Sequence, residues 1–147
     1  MFVLMCQAGA IRFALDASRV LEVLPYVHCQ PVAEAPRWLV GAFACRGRSV
    51  PLADLTCLLT GQAAAIRWNS RILLWQPNTG AFAGPIGLIA ERVTTAEIDP
   101  QKLAAESGSA HDSAGPVLLD ERGMFQLVDP DRLLVKQGVE APVRADA

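Results

Sequence analysis

The sequence predicts a mainly β protein built from small barrels. Three observations carry that expectation. Short runs with apolar residues at alternate positions recur along the chain, and turn-forming Gly, Pro and Asp interrupt them at short intervals. One strand–cap–helix pattern also occurs twice. Many short strands with frequent turns fit closed or nearly closed sheets better than an open parallel sheet.

The elements follow in chain order. In FVLMCQ and IRFAL, residues of one parity (Phe2, Leu4, Cys6; then Ile11, Phe13, Leu15) share a face. Ala8-Gly9-Ala10 joins them as a short hairpin loop. Asp16 caps a single turn over Ala17–Val20, and VLEVLPYVHC is the next strand, bent near Pro25. EAPRWLVG reads as a short helix with Gly41 at its end. AFAC and SVPLA are two strands joined by the Arg46-Gly47-Arg48 turn. Asp54 caps a short helix through Leu59, ended by Gly61. After the connection Gln62–Ser70, RILLWQ is a strand, PNTGAFAG a turn-rich loop and PIGLIAERV another strand region. Asp99-Pro100 starts a helix, a capping Asp followed by Pro at the first helical position. Ala105–Gly115 is small and polar and reads as a mobile loop. PVLLDERGMFQLVD is a hairpin turning near Glu121–Gly123, and Asp129-Pro130 leads into a helix with Leu133-Leu134. Lys136–Ala147 has little to bury and reads as a disordered tail.

The repeated pattern is SVPLADLTCLL (Ser49–Leu59), which lines up with MFQLVDPDRLL (Met124–Leu134) 75 positions on. Each is a strand, an Asp cap and a short helix ending in Leu-Leu, and each follows an Arg/Gly turn. Two similar halves are expected, each closing with the same unit.

Composition narrows the function. The chain has 147 residues, a formal charge of −2 and 52% apolar residues. One unit of this length buries roughly 68–70% of its unfolded surface and needs no disulfides. The apolar fraction exceeds the usual range of about 45–50%, so either the core is rich or apolar surface is kept for partners. Near-neutral charge argues against nucleic acid, which requires clustered Lys and Arg. No apolar run reaches the ~18 residues of a spanning helix, and MFVLMCQ lacks the basic start of a signal peptide. No membrane insertion and a cytoplasmic location are therefore expected. Cys6, Cys29, Cys45 and Cys57 show no C-x-x-C and sit among apolar neighbours, which reads as core thiols.

No catalytic site and no metal or cofactor site stand out. Gly80, Gly84 and Gly87 are followed by no Lys, so they make no phosphate loop. No G-x-S-x-G is present. His28 and Cys29 are adjacent in a strand-like run and point to opposite faces, and His111 lies in the expected loop with no evident partner. The carboxylates fall mostly at caps and strand ends. Asp54 and Asp129 read as N-caps, Trp38 and Trp75 as core, and Trp68 as the one Trp placed to anchor a partner. A protein whose work is contact fits this inventory.

A set of ordered motifs makes that specific. V-L-E-V-L (Val20–Leu24), P-x-x-x-x-P (Pro31–Pro36), W-L-V-G (Trp38–Gly41), R-G-R-S-V-P-L-A-D-L (Arg46–Leu55) and L-L (Leu58–Leu59) are followed by R-I-L-L-W, I-G-L-I-A-E-R-V and F-Q-L-V-D-P-D-R-L-L. This set resembles the CheW family of bacterial chemotaxis coupling proteins across residues 2–135. The resemblance implies a single domain over 1–135 made of two SH3-like five-stranded barrels around a shared apolar seam. The first barrel is expected at about 11–60 and the second at about 71–128. Terminal segments would cross or pack on them, and 136–147 would form the tail. It implies a non-enzymatic adaptor, without cofactor, in a chemosensory two-component system. The expected partners are the cytoplasmic tip of a chemoreceptor (a methyl-accepting chemotaxis protein) and the regulatory domain of a CheA-type histidine kinase. Glu22, Gly41 and Arg46 match the kinase-contact surface, with Arg46 pairing Glu22. Val20, Val23, Val40 and Phe43 match the receptor groove between the barrels. The sequence departs from the family where Ala44 and Cys45 replace the usual Asn and large aliphatic residue before R-G, so a side-chain amide that could fix the turn is absent. Two other readings stay open: a small enzyme or redox sensor using Cys29 or Cys45, and a CheW-like module with a different partner.

Overall fold

A computed structural model describes residues 1–78, 81–101 and 115–139. Nine strands are β1 (Phe2–Ala8), β2 (Ile11–Asp16), β3 (Val20–Pro25), β4 (Leu39–Cys45), β5 (Arg48–Asp54), β6 (Ser70–Trp75), β7 (Ile86–Glu97), β8 (Val117–Asp120) and β9 (Gly123–Leu127). Helix α1 (Leu55–Thr60) follows β5 and helix α2 (Pro130–Lys136) follows β9. The mainly β class expected from the sequence is the class observed.

Local chemistry accounts for the element boundaries. Asp16 starts a single 3-10 turn over Ala17–Arg19 by accepting the Ser18 N–H. Asp54 caps α1 through the Cys57 N–H, and α1 ends on Gly61. Asp129 caps α2 with Pro130 at its first position. Asp99 accepts the Gln101 N–H, and the remainder of that expected helix lies outside the described residues. So do residues 105–114 of the expected loop and 140–147 of the expected tail. The chain does not loosen at Lys136: that residue ends α2, and Val139 packs against the core while its N–H bonds the Leu134 carbonyl.

The expected helix at EAPRWLVG is absent. Trp38 lies in a turn, Leu39 opens β4, and Gly41 sits inside that strand. Proline at position 36 biases Ala35 toward extended backbone. The glycine answers a tertiary demand rather than a helix end. A Cβ on Gly41 would stand 2.2 Å from the Gln30 carbonyl oxygen. Gln30 and Ala42 exchange two backbone hydrogen bonds at 2.8 Å, which joins the segment after β3 to β4.

The strand order is β3-β6-β7-β1-β2-β9-β8, with β5 pairing β7 and β4 pairing β5. Two lobes result. The first contains β3, β6, the early part of β7, β5 and β4; the second contains the later part of β7, β1, β2, β9 and β8. Both have the same sense of pairing: antiparallel, antiparallel, parallel, antiparallel. The barrel limits expected at 11–60 and 71–128 do not match this pairing. β2 pairs β1 and β9, while β6 pairs β3 and β7. Each half of the sequence lends a hairpin, β1–β2 or β6–β7, to the lobe completed by the other half. The repeat is longer than its closing units: Ile11, Asp16, Glu22, Val23 and Pro25 recur 75 positions on as Ile86, Glu91, Glu97, Ile98 and Pro100.

β7 serves both lobes. From Gln7 to Met5, β1 moves two residues while β7 moves three, from Glu91 to Thr94, so β7 carries an extra residue. Arg92 takes φ +53° there. Such a bulge bends and twists a strand, here where it passes from one lobe to the other.

Three apolar clusters fill the molecule. Phe43, Val50, Leu52, Ile72, Leu74 and Ile89 fill the first lobe, and Val3, Ala14, Ile98, Leu118 and Phe125 the second. Between them a larger cluster takes Phe13 and Leu15, Leu73 and Trp75, Leu88 and Ala90, and the helix residues Leu55, Leu58, Leu133 and Leu134. Alternate residues of β6 therefore face the lobe interior (Ile72, Leu74) and the seam (Leu73, Trp75). Burial on both faces explains why RILLW and IGLIA read as continuous apolar runs.

Two outcomes follow. Gly41→Ala is expected to lower unfolding stability by about 3 kcal/mol in denaturant titration, because the methyl meets main chain rather than a movable side chain. In the second lobe Arg12 bridges Asp120 with two hydrogen bonds, which hold the Asp120 carboxyl below its usual range. That stabilisation is present above the ordinary Asp value of about 3.9 and is lost as pH falls through the lowered folded value. The pair is part-exposed, so Asp120→Asn should cost only about 0.5 kcal/mol at pH 7. The difference in melting temperature should disappear in acid.

Candidate protein-contact site

The first lobe ends in a charged corner. β4 and β5 are joined by Arg46 and Gly47 at φ +50° and +77°. Two positive φ values suit a tight hairpin turn whose twist matches its strands, and glycine supplies one of them at no steric cost. Backbone conformation alone therefore sets the turn, without the amide side chain that the sequence lacks. Arg46 is projected from its tip.

Glu22 reaches this tip from β3, where the register against β6 slips between Val20 and Glu22. The slip re-aims side chains next to it. The Arg46 guanidinium donates to the Glu22 carboxylate at 2.5 Å, across 24 positions of sequence. That hydrogen bond, with the attached negative charge, pushes the Arg46 pKa above its ordinary value. Arg46 is mostly exposed and Glu22 about one-third exposed.

A cleft of about 480 Å³ opens beside the pair. One side is Leu21, Glu22, Cys45, Arg46, Arg48 and the start of β5; the other is Ala81–Pro85, with Leu74 also lining it. Arg48 extends toward that second wall: a Cβ on Gly84 would lie 3.8 Å from its guanidinium. In the sequence Arg48 reads only as part of the turn, and residues 81–85 take no part in the expected site. Leu21 is exposed beside Glu22, with Val23 exposed further along the strand. The corner thus has one carboxylate, two guanidiniums and an apolar flank. Charge and apolar area placed side by side in this way suit contact with another protein surface.

A family model of the CheW-like domain matches residues 3–138. The chain belongs to that family. The crystal structure of the scaffolding protein TtCheW from Thermoanaerobacter tengcongensis is similar in fold, with a TM-score of 0.79 over 95% of this chain and 90% of that chain. Sequence identity to it is 19%. No curated protein matches the chain.

Within this CheW-like frame the expected site residues fall unevenly. Glu22 and Arg46 meet at the corner, while Gly41 is buried under Gln30 and supports β4 from within. The four residues expected to line a receptor groove do not share a surface. Val23 is exposed, but Val20 packs on the seam and Val40 against the first lobe's core. Phe43 is 5% exposed inside that core and cannot present its ring to a partner. Period-two alternation places Val20 and Val23 on opposite faces of β3. Trp38 and Trp75 are buried, whereas Trp68 is 88% exposed.

The thiols offer little chemistry. Cys6, Cys29 and Cys57 are buried, and burial pushes the Cys6 pKa up to about 12. Cys45 is partly exposed and lines the cleft. Among the described residues no histidine hydrogen-bonds a cysteine, and no three His, Cys, Asp or Glu residues cluster to hold a metal ion. No helix among them is long and apolar enough to cross a membrane. Titration of the native protein with a disulfide reagent should show one accessible thiol, absent in Cys45→Ser, and three that react only on unfolding.

Proposed function

We propose that this CheW-like protein is a coupling adaptor in a chemosensory array, joining chemoreceptor tips to the regulatory domain of a CheA-type histidine kinase. Family membership over nearly the whole chain supports the adaptor role. The observation that supports the kinase contact is the Glu22–Arg46 pair, held at an exposed tip by a hairpin turn and a strand bulge. An exposed ion pair contributes little to folding, so its value lies in shaping the surface that a partner meets. Gly41 acts on that surface indirectly, by letting β4 close against Gln30. The two lobes are read as two barrels, a reading supported in the first by the Gln30–Ala42 bridge. For the receptor contact, Val23 with its neighbour Leu21 is the accessible part of the expected set.

Binding of the kinase regulatory domain and of a receptor-tip fragment, measured separately and together by calorimetry or pull-down, tests the proposal. The intact protein should bind each and hold both in one complex. Glu22→Arg and Arg46→Glu should each weaken kinase-domain binding about tenfold or more, with melting temperatures near that of the parent. Parental affinity in both variants would remove the corner from the interface.

A further inference from the structure

The second wall of the cleft, Ala81–Pro85, lies in the connection between β6 and β7, of which residues 76–78 and 81–85 are described. The corresponding connection in the other lobe, between β1 and β2, is only Gly9 and Ala10. The longer segment needs anchoring, and its base is held from the far side of the seam. Asp131 of α2 is 8% exposed. Its carboxylate accepts the Asn78 N–H at 3.1 Å, the Trp75 indole N–H at 3.1 Å and the Arg19 guanidinium at 2.5 Å. Arg19 also donates to the Gln76 carbonyl at 2.9 Å and stacks 4.4 Å over the Trp75 ring. Gln76 and Asn78, on either side of Pro77 at the segment's base, are thereby tied to one ion pair. Further along, Phe82 packs on the seam while lining the cleft.

We infer that Asp131 and Arg19 are positioning residues for the contact corner, fixing from α2 and the β2–β3 turn the segment that forms the cleft's second wall. Neither lines the cleft. A carboxylate that accepts three donors in a mostly buried site has a single satisfying arrangement, and losing it leaves those donors short of a partner. The wall would then sample positions that open the cleft. The inference deepens the coupling role proposed above and rests on it for its binding readout.

Asp131→Asn keeps the side chain's shape and one acceptor oxygen but removes the charge. In the full chain, backbone order parameters from 15N relaxation at Ala81–Gly84 are expected to fall from about 0.85 toward about 0.6, with β1 and β2 unchanged. Affinity for the kinase regulatory domain should fall about tenfold. Asp120→Asn, which breaks the Arg12 pair in the other lobe, should alter neither quantity. Combined with Arg46→Ala, Asp131→Asn should cost less affinity than the two separate losses together, because both act through one corner. A merely structural role would give additive losses. Should Asp131→Asn fail to fold, Arg19→Met tests the same ties, since it keeps an unbranched side chain over Trp75 but removes the nitrogen that donates to both Gln76 and Asp131. Parental order parameters at Ala81–Gly84, or additive losses, would overturn the inference. The relaxation measurement needs no partner. A parent protein that binds no kinase domain would therefore refute the coupling role, while relaxation still decides whether Asp131 positions the wall.

Discussion

Everything in the molecule depends on the seam between the lobes. Phe13, Leu15, Leu73, Trp75, Leu88 and both helices bury their apolar groups there, and the same strands turn their alternate residues into the lobe interiors. A strand apolar on both faces has no stable position in a lone sheet exposed to water on one side. The second lobe is thus required by the side-chain alternation of the first. The parallel pairings of β5 with β7 and of β9 with β2 then place α1 and α2 over the same seam.

Much of this was readable from residues alone. Caps at Asp16, Asp54 and Asp129 lie where the sequence placed them, because capping is decided within a few positions. The hairpins β1–β2, β4–β5 and β8–β9 were legible for the same reason. The stretch before Gly41 misled, since a glycine demanded by an approaching carbonyl looks in sequence like one that ends a helix. The grouping of strands was hidden too. Self-similarity shows which segments are alike, but not that alike segments exchange partners.

The charged corner was legible in part. Glu22 and Arg46 came from the family resemblance, and the hydrogen bond between them is present. The apolar neighbours were misjudged for want of strand parity: Val40 and Phe43 turn inward and Leu21 outward. The Asp131 cluster left no local trace, because its donors lie at Arg19, Trp75 and Asn78. Such constellations exist only after folding, which is why position in a sequence understates the aspartate's reach.

The exchanged hairpins give the molecule an unusual architecture of dependence. Each half of the sequence folds onto strands it does not encode, so the chain resembles an intertwined dimer whose two protomers have been spliced end to end at residues 62–69. Severing that splice would yield two fragments with no complete sheet of their own, each the template for the other. Because the halves are joined yet distinct in sequence, the tip of one lobe is free to differ from that of the other, a freedom denied to a symmetric pair of identical subunits.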